Sequence, residues 1–190
     1  MNVSINTVKL TRPLYDWEIA MAAPIFGHAL QFRQVRVHEF AAWPDQIDDI
    51  GRKLKKMDPR AADVHNAITL FNGCNFPVGL PLQQPALSDP EYYKTGWLMH
   101  ELTHAWQYQH VGIIYLYQSI FKSPTYQYAP AGETVDGALK KFTQDGKTFL
   151  DFNREQQGDI VRDYYFYLKQ NADVTAWDPY LKEVRLPPPK

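Results

Sequence analysis

Leu98-Met99-His100-Glu101-Leu102-Thr103-His104-Ala105-Trp106-Gln107 sets two histidines four residues apart, with a glutamate directly after the first. Positions i and i+4 project from one side of a helix, so both imidazoles can reach the same ion. Glu101 lies about 100° further round and can face a metal-bound water without being a ligand. Such a site takes a third protein ligand and leaves one position to water or substrate. The zinc lowers the water's pKa and polarises a scissile carbonyl. The glutamate takes the proton from that water and can deliver it to the leaving amine. The competing reading is a helix whose three polar residues are solvated or satisfied inside the protein.

The flanks describe the support. Trp97, Leu98, Met99, Leu102, Ala105 and Trp106 put apolar surface on several sides of the segment, which suits a core helix better than an exposed amphipathic one. Asp89-Pro90, with Glu91 behind, reads as a helix start, and the span Tyr92 to Gln109 reads as one or two linked helices ending before Gly112. Gly96 marks a bend, a close packing point or a merely tolerated interior glycine.

A third ligand is sought downstream, where Asn153-Arg154-Glu155-Gln156-Gln157-Gly158-Asp159 leads through Arg162, Asp163 and Tyr164 as a second helix with acids on one face. Glu155 is the first choice. Asp159, one turn on, is placed to accept the outward ring N–H of a zinc-bound histidine and so fix its tautomer. Asn153 is a cap for this helix. Glu155, Asp159 and Asp163 read equally well as a charged surface stripe, and what favours the ligand reading is that the histidine pair needs a partner. Glu133, Asp136 and Asp151, near Gly or Pro turns, are competitors.

His100-Glu101-Leu102-Thr103-His104-Ala105-Trp106-Gln107, followed by Glu155-Gln156-Gln157-Gly158-Asp159, resembles the gluzincin arrangement of a histidine pair, a general-base glutamate, and a glutamate ligand followed four residues later by an acid. More closely, it resembles the bacterial zincin-like metallopeptidase domains of secreted toxins, including the one at the C-terminus of certain type VI secretion spike proteins. Arg12-Pro13-Leu14, Ile25-Phe26-Gly27 and Val35-Arg36-Val37-His38 look like the first part of those domains, where a helix leads through a Phe-Gly pair into a strand. Together these pieces cover most of residues 10 to 168. The resemblance implies an α+β zincin-like fold, mostly helical, with a small N-terminal sheet. It implies Zn2+ held by His100, His104 and Glu155, with Glu101 catalytic. It also implies a peptide or protein substrate, an immunity protein or secretion-spike partner, and export by a specialised secretion system from the cytoplasm where the chain is made. Two features depart from the family pattern: the interval 155 − 104 = 51 residues is long, and Gly158 weakens the helix that carries the third ligand.

Composition fits one domain over 1–186 with a proline-rich tail at 187–190. The 190 residues are 45% hydrophobic and 22% charged, an ordinary globular balance. The one cysteine, Cys74, excludes an internal disulfide framework and a multi-thiolate zinc site, and reads as a buried small hydrophobe. A net charge of −1 gives no electrostatic argument for nucleic acid or an anionic membrane. The short basic run Arg52-Lys53-Leu54-Lys55-Lys56 lies beside acids and reads as a solvated helix face. No signal-peptide core is evident, and Ile19 to Phe26 is too short to span a bilayer, so stable membrane insertion is not expected.

Periodicity predicts a helix from Leu14 to Ala29 interrupted at Pro24, a strand from Phe32 to Phe40, a short helix from Asp45 to Met57, and a strand from Asn66 to Phe71. Gly73 and Pro77 predict a turn or irregular run before Val78. The strand ahead of the histidine helix reads either as an open edge, where an extended peptide could pair, or as a strand fully paired within the sheet. Val111 to Phe121 reads as a helix end followed by a buried segment. Oxyanion donors are sought among Tyr126, Tyr128, His110 and Arg162. Trp177, Tyr180 and Leu181 are expected to return the chain to the core. Two other functions remain open: a catalytically inactive zincin scaffold used as an interaction or delivery module, and a zinc amidase acting on a non-protein amide.

Overall fold

The alternation around Val35-Arg36-Val37-His38-Glu39 seeds the sheet. In the computed structural model, which describes residues 10–54, 56–114 and 127–187, it forms β2 (Arg36–Glu39), with Val37 and Glu39 buried and Arg36 exposed. β1 (Leu10–Arg12) pairs antiparallel with β2 on one side. On the other side β3 (Ile68–Leu70) pairs antiparallel with β4 (Gly73–Asn75), and β4 runs parallel to β2, giving the order β1-β2-β4-β3. Arg12, Val37, Cys74 and Thr69 stand opposite one another across the four strands, and all four are buried. β3 is an edge strand among the described residues.

Two local expectations are corrected. Phe32–Gln34 is a 3-10 turn rather than the start of a strand, closed by the Val35 amide donating to the Phe32 carbonyl at 3.1 Å. Gly73, expected in a turn, begins the central strand β4. Gly-Cys-Asn has little intrinsic strand preference, but neighbours on both sides pair its backbone. A Cβ at Gly73 would stand 3.0 Å from the His38 ring, so the missing side chain makes room for its neighbour.

Helix α1 (Asp16–Phe26) contains Pro24 and occupies the middle of its expected span, and α2 (Trp43–Leu54) follows β2. Helix α3 (Tyr93–Val111) carries the histidine pair. Ahead of it, the Asp89 carboxylate accepts from the Glu91 amide at 2.8 Å, and behind it Gly112 turns the chain out at φ 67°, where glycine alone is unstrained. Helices α4 (Val135–Gln144), α5 (Arg154–Lys169) and α6 (Asp178–Val184) complete the described fold, an α+β arrangement that is mostly helical with a small N-terminal mixed sheet. Asn153 caps α5 by accepting from the Gln156 amide at 2.9 Å. Residues 115–121 of the expected segment after α3, and 188–190 of the tail, lie outside the described residues. No helix among the described residues is long and apolar enough to cross a membrane.

The core is built on α3. Leu98, Met99, Leu102, Ala105 and Trp106 are buried on several sides of it, together with Trp177, Tyr180, Leu181 and Val184 from the returning C-terminal segment. Trp106 Nε1 donates to the Val184 carbonyl at 3.0 Å, and Trp177 Nε1 to the Ile160 carbonyl at 3.0 Å, so both indoles bury without an orphaned donor. Helices α3 and α5 run antiparallel and close together: Gly96 lies against Phe166, His100 against Gly158, and Gln107 against Arg154 and Gln157. Gly96 is therefore a close packing point and not a bend. A second polar anchor sits at the N-terminal end, where the buried Arg12 guanidinium donates to Glu18 at 2.7 and 2.9 Å and to Glu39 at 2.6 Å, joining β1, α1 and β2.

Candidate metal centre

One helical turn separates His100 from His104 on α3, and the antiparallel α5 brings Glu155 in from across the interface. His100 Nε2 and His104 Nε2 are 3.2 Å apart; the Glu155 Oε2 atom stands 3.3 Å from the first and 3.4 Å from the second. Tetrahedral zinc with N and O ligands near 2.0–2.1 Å has donor–donor edges about 1.63 times as long, ~3.3–3.4 Å. The three atoms thus describe one face of such a tetrahedron. Donor atoms of His100, Glu101 and His104 also all lie within 4.8 Å of one another, a cluster able to hold a metal ion.

Electrostatics favours carboxylate and imidazole together. Burial opposes the charge on Glu155, but the pull of His104 and the hydrogen bonds to His100 and His104 outweigh it and hold the carboxyl well below the usual range. Burial likewise opposes a charged His100, while its bonds to Asp159 and Glu155 prevail and raise its pKa to about 10 without metal. His104 is raised too, against burial, chiefly by Glu155. A cation of higher charge would take the place of these protons.

The groups behind the rings define their orientation. Asp159 Oδ1 lies 2.9 Å from His100 Nδ1 and also accepts from Arg162 at 2.6 Å. Arg162 donates in turn to Asp163, and the buried Tyr128 hydroxyl donates to Asp163 at 2.8 Å, so a connected chain runs from His100 to Tyr128. Burial, reinforced by Asp163, pushes the Tyr128 phenol up. Gly158 is the space that admits His100: a Cβ there would stand 2.6–2.8 Å from three atoms of the ring. The glycine read as a weakness in the ligand helix is a cradle for the imidazole.

Two contacts escaped the sequence reading. Gln107 Oε1 lies 2.9 Å from His104 Nδ1, and the Thr69 hydroxyl donates to Glu101 Oε2 at 2.7 Å. Gln107 had a legible signal, an amide three positions after His104 and so on the same side of the helix. Thr69 had none, because its strand is 32 residues away. The other acids considered do not join the cluster. Glu133 pairs with Lys141 at 2.9 Å, Asp136 with Lys140 at 3.5 Å, and Asp151 accepts from Thr148. His110 stands at the end of α3 with its ring nitrogens 2.8 and 3.3 Å from the Trp106 and Leu186 carbonyls, turned away from the other two histidines. Tyr126 lies outside the described residues.

A helix carrying His-Glu-x-x-His beside a small sheet, with a cluster that could hold zinc, defines the class of site present. The chain is also homologous to part of a known protein. It is 30% identical over 166 residues, 87% of its length, to the type VI secretion system spike protein VgrG2b of Pseudomonas aeruginosa, and it spans 14% of the length of that relative. The solved effector domain of Pseudomonas aeruginosa VgrG2b is 26% identical, with 88% of this chain and 80% of that chain covered at a TM-score of 0.46. No protein-family model matches the chain.

Proposed function

We propose that the chain is a zinc-dependent peptidase domain in which His100, His104 and Glu155 hold the ion and Glu101 is the general base. The observation that carries this reading is the donor triangle of 3.2, 3.3 and 3.4 Å, contributed by two helices, with the Glu101 carboxylate beside it. Zinc bound there would supply a Lewis acid for a scissile carbonyl and lower the pKa of a water toward neutrality.

The chain's own residues do the rest. Glu101 accepts the proton of the attacking water and passes it to the leaving amine, a role worth ~10²–10⁴ in rate. Thr69 donates to one oxygen of that carboxylate and so holds the base in one orientation. Asp159 accepts from the Nδ1 atom of His100, which turns that ring's Nε2 lone pair into the triangle. Because Thr69 lies at the centre of the edge strand β3, an extended peptide pairing with that edge would pass close to Glu101. Arg162, Tyr128 and the chain through Asp163 support His100, and are a less direct source of oxyanion donors than the sequence suggested.

Homology to a spike protein of a type VI secretion system supports export by such a system; a peptide or protein substrate in the recipient and an immunity partner in the producer belong to the same proposal. The test is a zinc-edge anomalous map on crystals grown without chelator, paired with peptide-library cleavage by wild type and Glu101→Gln at matched zinc content. Zinc on His100, His104 and Glu155, with cleavage by wild type only, is expected. Equal cleavage by both proteins refutes the role of Glu101, and no zinc after soaking leaves the inactive scaffold as the better reading.

A further inference from the structure

The hydrogen bonds behind His104 can be traced to groups that have no choice of role. Gln107 and Gln157 are fully buried. Gln157 Nε2 lies 3.1 Å from the Phe149 carbonyl and 3.0 Å from the Phe152 carbonyl, and carbonyl oxygens only accept. Both amide hydrogens of Gln157 are thereby committed, and its Oε1 must be the acceptor of the pair. Gln107 Nε2 stands 2.9 Å from that Oε1 and 2.9 Å from the Arg154 carbonyl. Both hydrogens of Gln107 are then committed as well, and its Oε1 is left to face His104 Nδ1 at 2.9 Å. An oxygen in that place requires a proton on Nδ1. In the neutral ring the lone pair must therefore sit on Nε2, the atom that points toward His100 and Glu155.

We propose that Gln107, backed by Gln157, is a positioning residue that sets His104 in the Nδ1–H tautomer and presents its Nε2 to a divalent cation. The direction of the relay is dictated by three backbone carbonyls, those of Phe149, Phe152 and Arg154, so the turn leading into α5 determines the chemistry of a ring on α3. The two histidines are supported differently. His100 rests on the carboxylate of Asp159, whereas His104 rests on a neutral amide, which orients the ring without adding a second negative charge behind the site. The inference rests on the metal-centre reading for its purpose, but the tautomer itself does not depend on an ion being bound.

Two variants separate positioning from packing. Gln107→Met and Gln107→Glu both remove the donors to Gln157 and Arg154, and Glu also sets an oxygen against those two acceptors, so a purely structural role predicts a defect in Glu at least as large as in Met. Only Glu keeps an acceptor facing His104. The readouts are zinc affinity by competition with a chromophoric chelator and long-range 1H–15N NMR of the imidazole nitrogens, the latter also on metal-free protein at a pH where His104 is neutral. Wild type is expected to show the Nδ1–H tautomer with and without zinc. Gln107→Met is expected to lose zinc affinity by ~10–100-fold and to populate the Nε2–H form, while Gln107→Glu keeps the tautomer and binds zinc more tightly than the Met variant. An Nε2–H signal in metal-free wild type, a measurement that needs no variant to fold, overturns the relay. So does a Met variant with wild-type tautomer and affinity, or a loss in the Glu variant at least as large as in the Met variant. A wild type with the Nδ1–H tautomer but no zinc affinity would uphold the relay and refute the metal reading.

Discussion

Gly158→Ala sets two ordinary effects against each other. In a helix interior, alanine is favoured over glycine by about 1 kcal/mol, so propensity alone predicts a more stable protein. The new Cβ, however, would stand 2.6, 2.7 and 2.8 Å from the His100 Cε1, Nδ1 and Nε2 atoms. Relaxed carbon contacts begin near 3.5 Å, so each contact is short by about 0.7–0.9 Å, and overpacking of this kind costs about 1–3 kcal/mol. The expected net effect on the metal-free protein is a loss of about 0–2 kcal/mol, small because the ring can move. Moving it is what damages the site. A displacement near 1 Å takes His100 Nε2 out of a triangle whose edges are 3.2 and 3.3 Å, and strains its 2.9 Å contact with Asp159. Thermal unfolding in chelator, with zinc affinity by competition, reads the two effects apart: near-normal stability with zinc affinity lower by an order of magnitude or more. A variant that is more stable than wild type and binds zinc equally well would refute the cradle.

Other perturbations follow from the same geometry. Asp159→Ala removes the acceptor behind His100 and is expected to lower zinc affinity ~10–100-fold, with normal binding by competition titration as the contrary result. In the metal-free protein the raised pKa of His100 gives stability fully present below pH 6.5 and lost as pH rises through about 10. Its melting temperature should therefore fall across that window, while the protection conferred by zinc grows because fewer protons must be displaced; melting curves with and without chelator would contradict this if the metal-free protein gained stability there. Arg12→Met leaves Glu18 and Glu39 buried without their cation and is expected to cost about 3–5 kcal/mol, read by urea denaturation, where a loss below 1 kcal/mol would show that the carboxylates find other partners.

The parts of this protein legible in its sequence are those governed by local periodicity. Helix α3 follows from Asp89, the dense apolar positions and Gly112, and the start of α5 from Asn153, because caps and helical spacing act within a few residues. The meeting of His100 and His104 is likewise local. Strand β4 was hidden because Gly73-Cys74-Asn75 is held by partners on both sides and not by its own preference. Gly158 was misread for a related reason: a glycine in a helix advertises its cost in backbone entropy, whereas its benefit depends on which ring arrives from another helix. Thr69 and the Gln157 arm of the relay are invisible for the same cause, since each meets its partner across more than 30 residues of chain.

The antiparallel pairing of α3 and α5 has a consequence for how the chain can vary. His104 and Glu155, whose donors converge on one point, are 51 residues apart in sequence, yet their spacing is governed by two close glycine contacts and a bridge of buried amides, all within the helix pair. Of what joins the helices, the turn at Phe149 and Phe152 holds Gln157 through two backbone carbonyls, and Tyr128 donates to Asp163 on α5. Doubling the length of a flexible connection adds only about 0.6 kcal/mol to the entropy of closing it. An ion gripping both helices would act as a removable cross-link across that loop, worth about 4 kcal/mol by the chain-entropy relation for a 51-residue closure. Changes of length elsewhere in the connection, with Tyr128 and the Phe149–Phe152 turn kept, are expected to leave the three donor atoms in register, so that what the domain recognises can vary apart from the triangle.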